Sequence, residues 1–161
     1  IGVIAGFLAC RREARRDGID VELFTHIFFW ILAWAFAGAK LLYFVVDFPQ
    51  VLRDPLGALR SGFVFYGGVI AGAFSGHYLT KKHGISFFGF ADIIAIGIPL
   101  GHFFGRLGCF FNGCCYGRAT DSWMGLLFPA DSPAGFIGRK VIPTQVISAL
   151  FLFLLFFTEN L

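Results

Sequence analysis

The sequence has few charged residues: only 14% of its 161 residues are Asp, Glu, Lys or Arg, whereas a soluble domain carries about 25%. This shortage excludes a disordered chain or a coiled coil, since both are rich in charge. Four cysteines are too few for a secreted disulfide scaffold of this length. No basic stripe laced with aromatic residues is present, so we expect no nucleic-acid partner.

Apolar residues are what the sequence has in abundance. They make up 57% of the chain and include 23 phenylalanines, alongside 21 glycines. A chain of this length could not hide so much apolar surface from water, and glycines let membrane helices approach closely. The sequence therefore predicts an all-α integral membrane protein.

Continuous apolar runs give the positions of the membrane-crossing helices, each of which needs about 20 residues. The runs do not alternate as the strands of a barrel would. Full spans are predicted at residues 23–48, 62–79, 87–111 and 143–157, after half a span at 1–10. Pro143 suits the first helical position of the last span. The prediction is a polytopic transmembrane helix bundle that forms one integral membrane domain over residues 1–161.

Basic residues set the expected orientation of the spans. Two segments between spans, 11–16 and 81–82, carry clustered Arg or Lys, and the positive-inside rule places both loops in the cytoplasm. The segments 49–61 and 112–142 then face outward. The longer of the two is expected to form a small outward-facing cap.

Four ionisable residues lie inside the predicted spans, where a charged side chain is energetically costly and its presence requires an explanation. Lys40 and Asp92 either pair to fix helix packing or extend toward lipid headgroups. His102 and Arg106 are four residues apart, so they share one helix face. A glycine-rich turn follows Arg106, and a guanidinium there suits a phosphate because its planar fork binds two oxygens. Phosphate recognition and plain membrane anchoring both remain open.

A second glycine-rich stretch, residues 62–68, begins the third span. Paired glycines in a membrane helix usually indicate close helix packing. Tyr66 within this stretch is also typical of an aromatic residue at the membrane interface.

At these two stretches together the sequence resembles the prolipoprotein diacylglyceryl transferase family. The family signature is Arg-x-Gly-Asn-Phe-x-Asn-Gly-Glu-x-x-Gly, and the chain matches it at Arg106, Gly108, Phe110, Asn112, Gly113 and Gly117. Three further motifs follow the family order: Gly38-Ala39-Lys40 for Gly-Ala-Arg, Tyr66-Gly67-Gly68 for His-Gly-Gly, and Ile142-Pro143-Thr144-Gln145 for His-Pro-Thr/Ser-Gln. The resemblance covers the whole chain.

The resemblance implies a multi-pass enzyme of the bacterial inner (plasma) membrane with its active site toward the outer face. Such enzymes move the diacylglyceryl group of phosphatidylglycerol to the thiol of a lipobox cysteine in a prolipoprotein signal peptide. A thioether forms and glycerol 1-phosphate leaves. The implied partners are phosphatidylglycerol, prolipoprotein signal peptides and membrane lipids. No metal or organic cofactor is implied.

The resemblance also assigns roles to the matching residues. Arg106 would hold the departing phosphate, and Asn112 would orient the headgroup. The substrate-binding candidates are Arg106, Asn112, Gly67, Gly68, Gly108, Gly113, Gly117, Lys40 and Gln145. The catalytic candidates are Arg106, Tyr66 and His102.

The chain departs from the family at several motif positions. Tyr66 stands where a histidine would remove the thiol proton, and a phenol is a much weaker base than an imidazole at neutral pH. Because it shares a helix face with Arg106, His102 is a candidate substitute base; the alternative is a histidine that is hydrogen-bonded within the bundle. Cys109, Cys114 and Ile142 replace an asparagine, a glutamate and a histidine. Functional residues that the family has near both ends are missing, so we expect a fragment of a longer protein.

The cysteines leave a second function class open. Cys109, Cys114 and Cys115 cluster on the predicted outer side, whereas Cys10 lies near the cytoplasmic end of the first span. The three can form a disulfide, pack as free thiols, or make a metal or redox site, although no C-x-x-C pair and no fourth ligand is evident. The alternatives are thus a thiol-active membrane protein or a non-catalytic phospholipid-binding protein.

Overall fold

The structure is a computed structural model that describes residues 1–60 and 62–159. Within those ranges the chain forms seven α-helices and no strand. The helices are α1 (Gly2–Arg16), α2 (Val21–Val46), α3 (Phe48–Arg53), α4 (Pro55–Arg60), α5 (Phe65–Lys82), α6 (Phe87–Asn112) and α7 (Thr144–Glu159). The prediction of an all-α fold is confirmed.

The predicted spans coincide with α2, α5, α6 and α7 to within one helical turn. Pro143 does not take the first helical position, because α7 begins at Thr144. Its carbonyl oxygen instead accepts hydrogen bonds from the backbone N–H groups of Val146 (3.0 Å) and Ile147 (3.3 Å). Pro143 is thus the residue that precedes the first turn.

The expected loops at 11–16 and 81–82 are helical, so the prediction of loops there is wrong. Helix α1 runs through Arg16 because Arg, Glu and Ala favour the helix. Ala14 is fully buried, and Gly18 lies in the turn just after the helix, where its φ of +72° suits glycine. The basic clusters are the ends of α1 and α5.

The segment 49–61 contains the two short helices α3 and α4, which the sequence analysis missed. Each has a proline in its first turn, where the missing N–H costs nothing. The Asp54 carboxylate precedes α4 and accepts the Gly57 backbone N–H at 2.9 Å. An Asp-Pro pair is therefore the signal for the second of these helices.

Two helices, α2 and α6, are long and apolar enough to cross a membrane, and α7 is a shorter apolar helix. Many large apolar side chains of these helices are exposed, among them Trp34 (53%) and Phe36 (57%) on α2. A core helix of a soluble protein would bury such residues. Exposure of this kind indicates a lipid environment, so the chain is an all-α membrane protein.

The chain divides into two compact units. One comprises Ile1–Glu13 together with the chain from Asp92 onward, and the other comprises Ala14–Ala91. In the first unit, glycines spaced four apart on α1 and α6 bring the two backbones together. A Cβ on Gly2 would lie 2.6 Å from the Gly101 carbonyl oxygen, and a Cβ on Gly6 would lie 2.8 Å from that of Gly97. Small residues at this spacing are typical of close membrane-helix contacts.

In the second unit, α2 packs against α5 through glycines as well. A Cβ on Gly38 would lie 2.5 Å from the Gly67 carbonyl oxygen, and a Cβ on Gly68 would lie 3.2 Å from that of Ala35. Gly67 is buried in this contact. The glycines that open α5 therefore have a packing role.

The glycine contact of α1 with α6 predicts opposite effects of two matched substitutions. Gly97→Ala would place a Cβ 2.6 Å from the Gly6 carbonyl oxygen, so we expect a loss of about 1–3 kcal/mol in the free energy of unfolding. Gly105→Ala on the same helix meets open space, and we expect a gain of up to about 1 kcal/mol. Unfolding in detergent measures both. Equal effects of the two would contradict this packing.

Candidate active site

The candidate site begins with Arg106, which lies two turns before the end of α6. Its Nη2 donates to the Ser148 hydroxyl on α7 at 3.0 Å. Its Nε–H is buried and has no hydrogen-bond partner among the described residues. An unpaired buried donor costs about 1–3 kcal/mol. Arg106 therefore has one donor directed to α7 and one donor available to a ligand.

Ser148 is a site residue that the sequence analysis missed. It lies three residues after Gln145 in an apolar helix, so both share one face of α7. A hydroxyl within such a helix is a weak signal, because it can also bond to its own backbone. Only the three-dimensional contact with Arg106 identifies it.

Gln145 is fully buried at the start of α7. Its Nε2 donates to the Cys114 carbonyl oxygen at 2.7 Å, while its Oε1 is buried without a partner among the described residues. Next to it, the Thr144 hydroxyl donates to the Cys115 carbonyl oxygen at 2.9 Å. The first turn of α7 thus holds the turn that follows α6.

That turn depends on its glycines. Gly113 is buried with φ of +66°, and a Cβ there would come within 2.6 Å of the Ser132 Cβ. A Cβ on Gly117 would come within 2.8 Å of the Thr144 side chain, and its N–H donates to the Ile142 carbonyl at 2.8 Å. The local geometry therefore explains why glycine occupies these two signature positions. Gly108, in contrast, faces open space on α6.

The segment between α6 and α7, predicted as a cap, folds back on itself without forming an α-helix or a strand. Val141 is fully buried and makes isolated bridges with Ala119 and Leu126. The Gly113 carbonyl accepts the Ala134 N–H at 2.9 Å. The cap is thus tied to the end of α6, which carries the signature residues.

The other predicted site residues on α6 lie on either side of Arg106. His102 is one turn before it and is exposed, and Asn112 is the last helical residue and is exposed. A hydrogen bond from the Asn112 side chain lowers the pKa of the Cys114 thiol, which lies just beyond the helix. Asn112 thus favours the thiolate form of its neighbour.

The cysteines of the turn lie close together as thiols. The Sγ atoms of Cys109, Cys114 and Cys115 all lie within 4.8 Å of one another, and no cysteine in the described ranges forms a disulfide. Cys10 is separate: it is buried, and its Sγ donates to the Ile94 carbonyl at 3.8 Å.

The remaining candidates lie in the second compact unit. Tyr66 is 72% exposed in the first turn of α5. Lys40 donates to the backbone carbonyls of Ala58 and Gly62, and its ammonium group lies 4.7 Å from the centroid of the Phe63 ring. The structure therefore gives Lys40 a role in holding the segment that precedes α5. Its role in substrate binding stays a prediction, as does that of Gly67 and Gly68.

The sequence matches the family described as prolipoprotein diacylglyceryl transferase over residues 1–159. One similar protein is the phosphatidylglycerol–prolipoprotein diacylglyceryl transferase 2 of Clostridium perfringens, which is 35% identical over 96% of this chain and 61% of the relative. Another is the phosphatidylglycerol–prolipoprotein diacylglyceryl transferase of Clostridium tetani, which is 32% identical over 98% of this chain and 64% of the relative. A protein of the same name from Solidesulfovibrio magneticus is 34% identical over 93% and 58%. The chain thus spans about three fifths of the length of these relatives.

The role of Gln145 predicts a graded pair of stability effects. Gln145→Leu removes a donor from a fully buried site and leaves the Cys114 carbonyl unpaired, so we expect a loss of about 1–3 kcal/mol in the free energy of unfolding. Thr144→Val removes an exposed hydrogen bond and should cost less, about 0.5–1.5 kcal/mol. Unfolding in detergent compares them. A larger loss for Thr144→Val would be inconsistent with this assignment.

Proposed function

The chain belongs to the prolipoprotein diacylglyceryl transferase family, and on that premise we propose that the whole protein transfers the diacylglyceryl group of phosphatidylglycerol to the lipobox cysteine of a prolipoprotein. The observation that carries this proposal is the buried Nε–H of Arg106 on the signature helix, which has no partner among the residues that the structure describes. A guanidinium so placed is suited to a phosphate oxygen.

Arg106 is the proposed phosphate anchor. Its bond to Ser148 fixes one side of the guanidinium group, which reduces the side-chain entropy that lipid binding would otherwise cost. The phosphodiester of the lipid would accept the free Nε–H. In a site of low dielectric constant this charge-assisted hydrogen bond is strong.

Gln145 supplies a complementary acceptor. Its Oε1 is buried and has no partner within residues 1–60 and 62–159. Gln145 lies one turn from Ser148, which Arg106 contacts. The headgroup of phosphatidylglycerol carries both phosphate oxygens, which accept, and glycerol hydroxyls, which donate. We propose that the phosphate bonds to Arg106 and that a glycerol hydroxyl donates to Gln145 Oε1, with Asn112 at the exposed end of the helix.

The proposed reaction forms a carbon–sulfur bond. The cysteine thiol loses its proton to a base, and its sulfur attacks the diacylglycerol carbon that bears the phosphate. The carbon–oxygen bond breaks, and the electron pair leaves with glycerol 1-phosphate. Arg106 stabilises the charge of the departing phosphate. No metal or organic cofactor takes part in this scheme.

We assign the base to His102, and Tyr66, in the second compact unit, stays a catalytic candidate. His102 is exposed and one turn before Arg106 on the same helix face. Imidazole is the side chain best matched to proton transfer near neutral pH. The Tyr66 hydroxyl is accessible at the start of α5.

The proposal also covers location and partners. The whole protein would cross the bacterial inner membrane several times, and residues 1–161 would belong to a single integral membrane domain. The basic ends of α1 and α5 would face the cytoplasm, and the cap and the end of α6 would face outward. Its partners would be phosphatidylglycerol, other membrane lipids, and prolipoprotein signal peptides with a lipobox cysteine.

The anchor role of Arg106 predicts a large loss of activity on substitution. Arg106→Ala should lower the rate of thioether formation by about 10²–10³-fold, because the leaving phosphate loses its charge partner. Arg106→Lys should recover only part of it, since an ammonium lacks the planar fork. The whole protein is incubated with phosphatidylglycerol and a lipobox peptide, and the product is measured by mass spectrometry.

The matched control is Arg12→Ala at the exposed end of α1, which should keep full activity. Wild-type protein that retains phosphatidylglycerol but forms no thioether would overturn the transferase proposal and leave a phospholipid-binding protein. Unchanged activity of Arg106→Ala would overturn the anchor.

The base assignment predicts a difference between two further variants. His102→Ala should reduce the rate of transfer by at least about 100-fold, as expected for loss of a general base. Tyr66→Phe should reduce it less than about tenfold. Activity that survives His102→Ala but not Tyr66→Phe would move the base to Tyr66.

A further inference from the structure

The thiol cluster of Cys109, Cys114 and Cys115 takes no part in the transfer scheme above. All three Sγ atoms lie within 4.8 Å of one another, and all three are free thiols. Cys109 and Cys114 are partly buried and Cys115 is exposed. The cluster is therefore accessible from outside the protein and has no assigned purpose.

Local backbone geometry brings the three thiols together. Cys109 lies in the last turn of α6, and its carbonyl accepts the Cys114 N–H at 3.0 Å across the Gly113 turn. Cys115 adopts a positive φ of 58°, which is uncommon for a residue with a side chain. A strained residue persists only where its surroundings hold it.

The surroundings are the side chains of the first turn of α7. Gln145 and Thr144 donate to the carbonyls of Cys114 and Cys115, at 2.7 and 2.9 Å. One of these bonds is made by a fully buried amide. The two cysteines are thus held at their backbones while neither sulfur atom is in a disulfide, which is the arrangement of a preformed ligand set.

We propose that Cys109, Cys114 and Cys115 form a binding site for a thiophilic divalent cation of the Zn²⁺ class, with the fourth coordination position open. Zinc–sulfur bonds of about 2.3 Å in tetrahedral geometry place the sulfur atoms about 3.8 Å apart. The observed separations, none above 4.8 Å, reach that value by small side-chain rotations.

Charge is also favourable for a cation held by three thiolates. Three thiolates and one divalent cation carry a net charge of −1, and binding releases three protons. Arg106 is three residues before Cys109, so this cation lies on the helix face that carries one of the ligands. The site is specific to this sequence, because Cys109 and Cys114 replace the Asn and Glu of the family signature.

The test is a titration of the whole, reduced protein in detergent with Cd²⁺ and with Zn²⁺. Cadmium should produce a thiolate-to-metal charge-transfer absorption that saturates at one ion per chain. Cys109→Ser, Cys114→Ser and Cys115→Ser should each weaken binding at least about tenfold, by analogy with loss of a ligand. Cys10→Ser is the matched control and should bind as the wild type does, because Cys10 lies outside the cluster.

A second measurement on wild-type protein keeps the proposal testable if a serine variant does not fold. One bound Cd²⁺ should protect Cys109, Cys114 and Cys115 from alkylation and leave Cys10 as it was. Reduced protein that binds no cadmium or zinc, or that binds equally well in the three serine variants, would overturn the site. Neither result depends on transferase activity, so the two proposals fail separately.

Discussion

The hydrogen bonds from the first turn of α7 to the carbonyls of Cys114 and Cys115 hold the candidate site together. One of them comes from the fully buried Gln145. Loss of this hydrogen bond would leave its donor and the Cys114 carbonyl unpaired in an apolar interior. The same helix supplies Ser148 to Arg106 one turn later. The position of the phosphate anchor and the shape of the thiol turn therefore depend on one docking of α7 against the end of α6.

A lipid environment makes an unpaired polar atom more costly than it is in water. In water an exposed Nε–H or amide oxygen is satisfied by solvent, whereas within a membrane it must find a partner in the protein or in a ligand. Arg106 Nε and Gln145 Oε1 are a buried donor and a buried acceptor with no partner in the described part of the chain. A headgroup that both accepts and donates matches this pair.

The helices could be predicted from the sequence because continuous apolar runs carry their own signal. The extension of α1 through Arg16 is harder to predict, because clustered charges are typical of a loop between spans, although Arg, Glu and Ala favour helices. Tertiary geometry was out of reach. The contact of Ser148 with Arg106 joins two helices that are distant in the sequence. The closeness of the Cys109, Cys114 and Cys115 thiols depends on a left-handed turn that their spacing alone does not reveal. The sequence motif identifies Gln145, but it does not predict the hydrogen bond from Gln145 to the Cys114 carbonyl.

The central claim is that Arg106 anchors the phosphate of the lipid substrate. Native mass spectrometry of the whole protein, released from detergent with phosphatidylglycerol, tests it without any requirement for turnover. The account predicts that the wild type and Arg12→Gln retain one phosphatidylglycerol per chain, and that Arg106→Gln retains it at least about tenfold less often, as expected for loss of a charge-assisted hydrogen bond. Equal retention by wild type and Arg106→Gln would contradict the account.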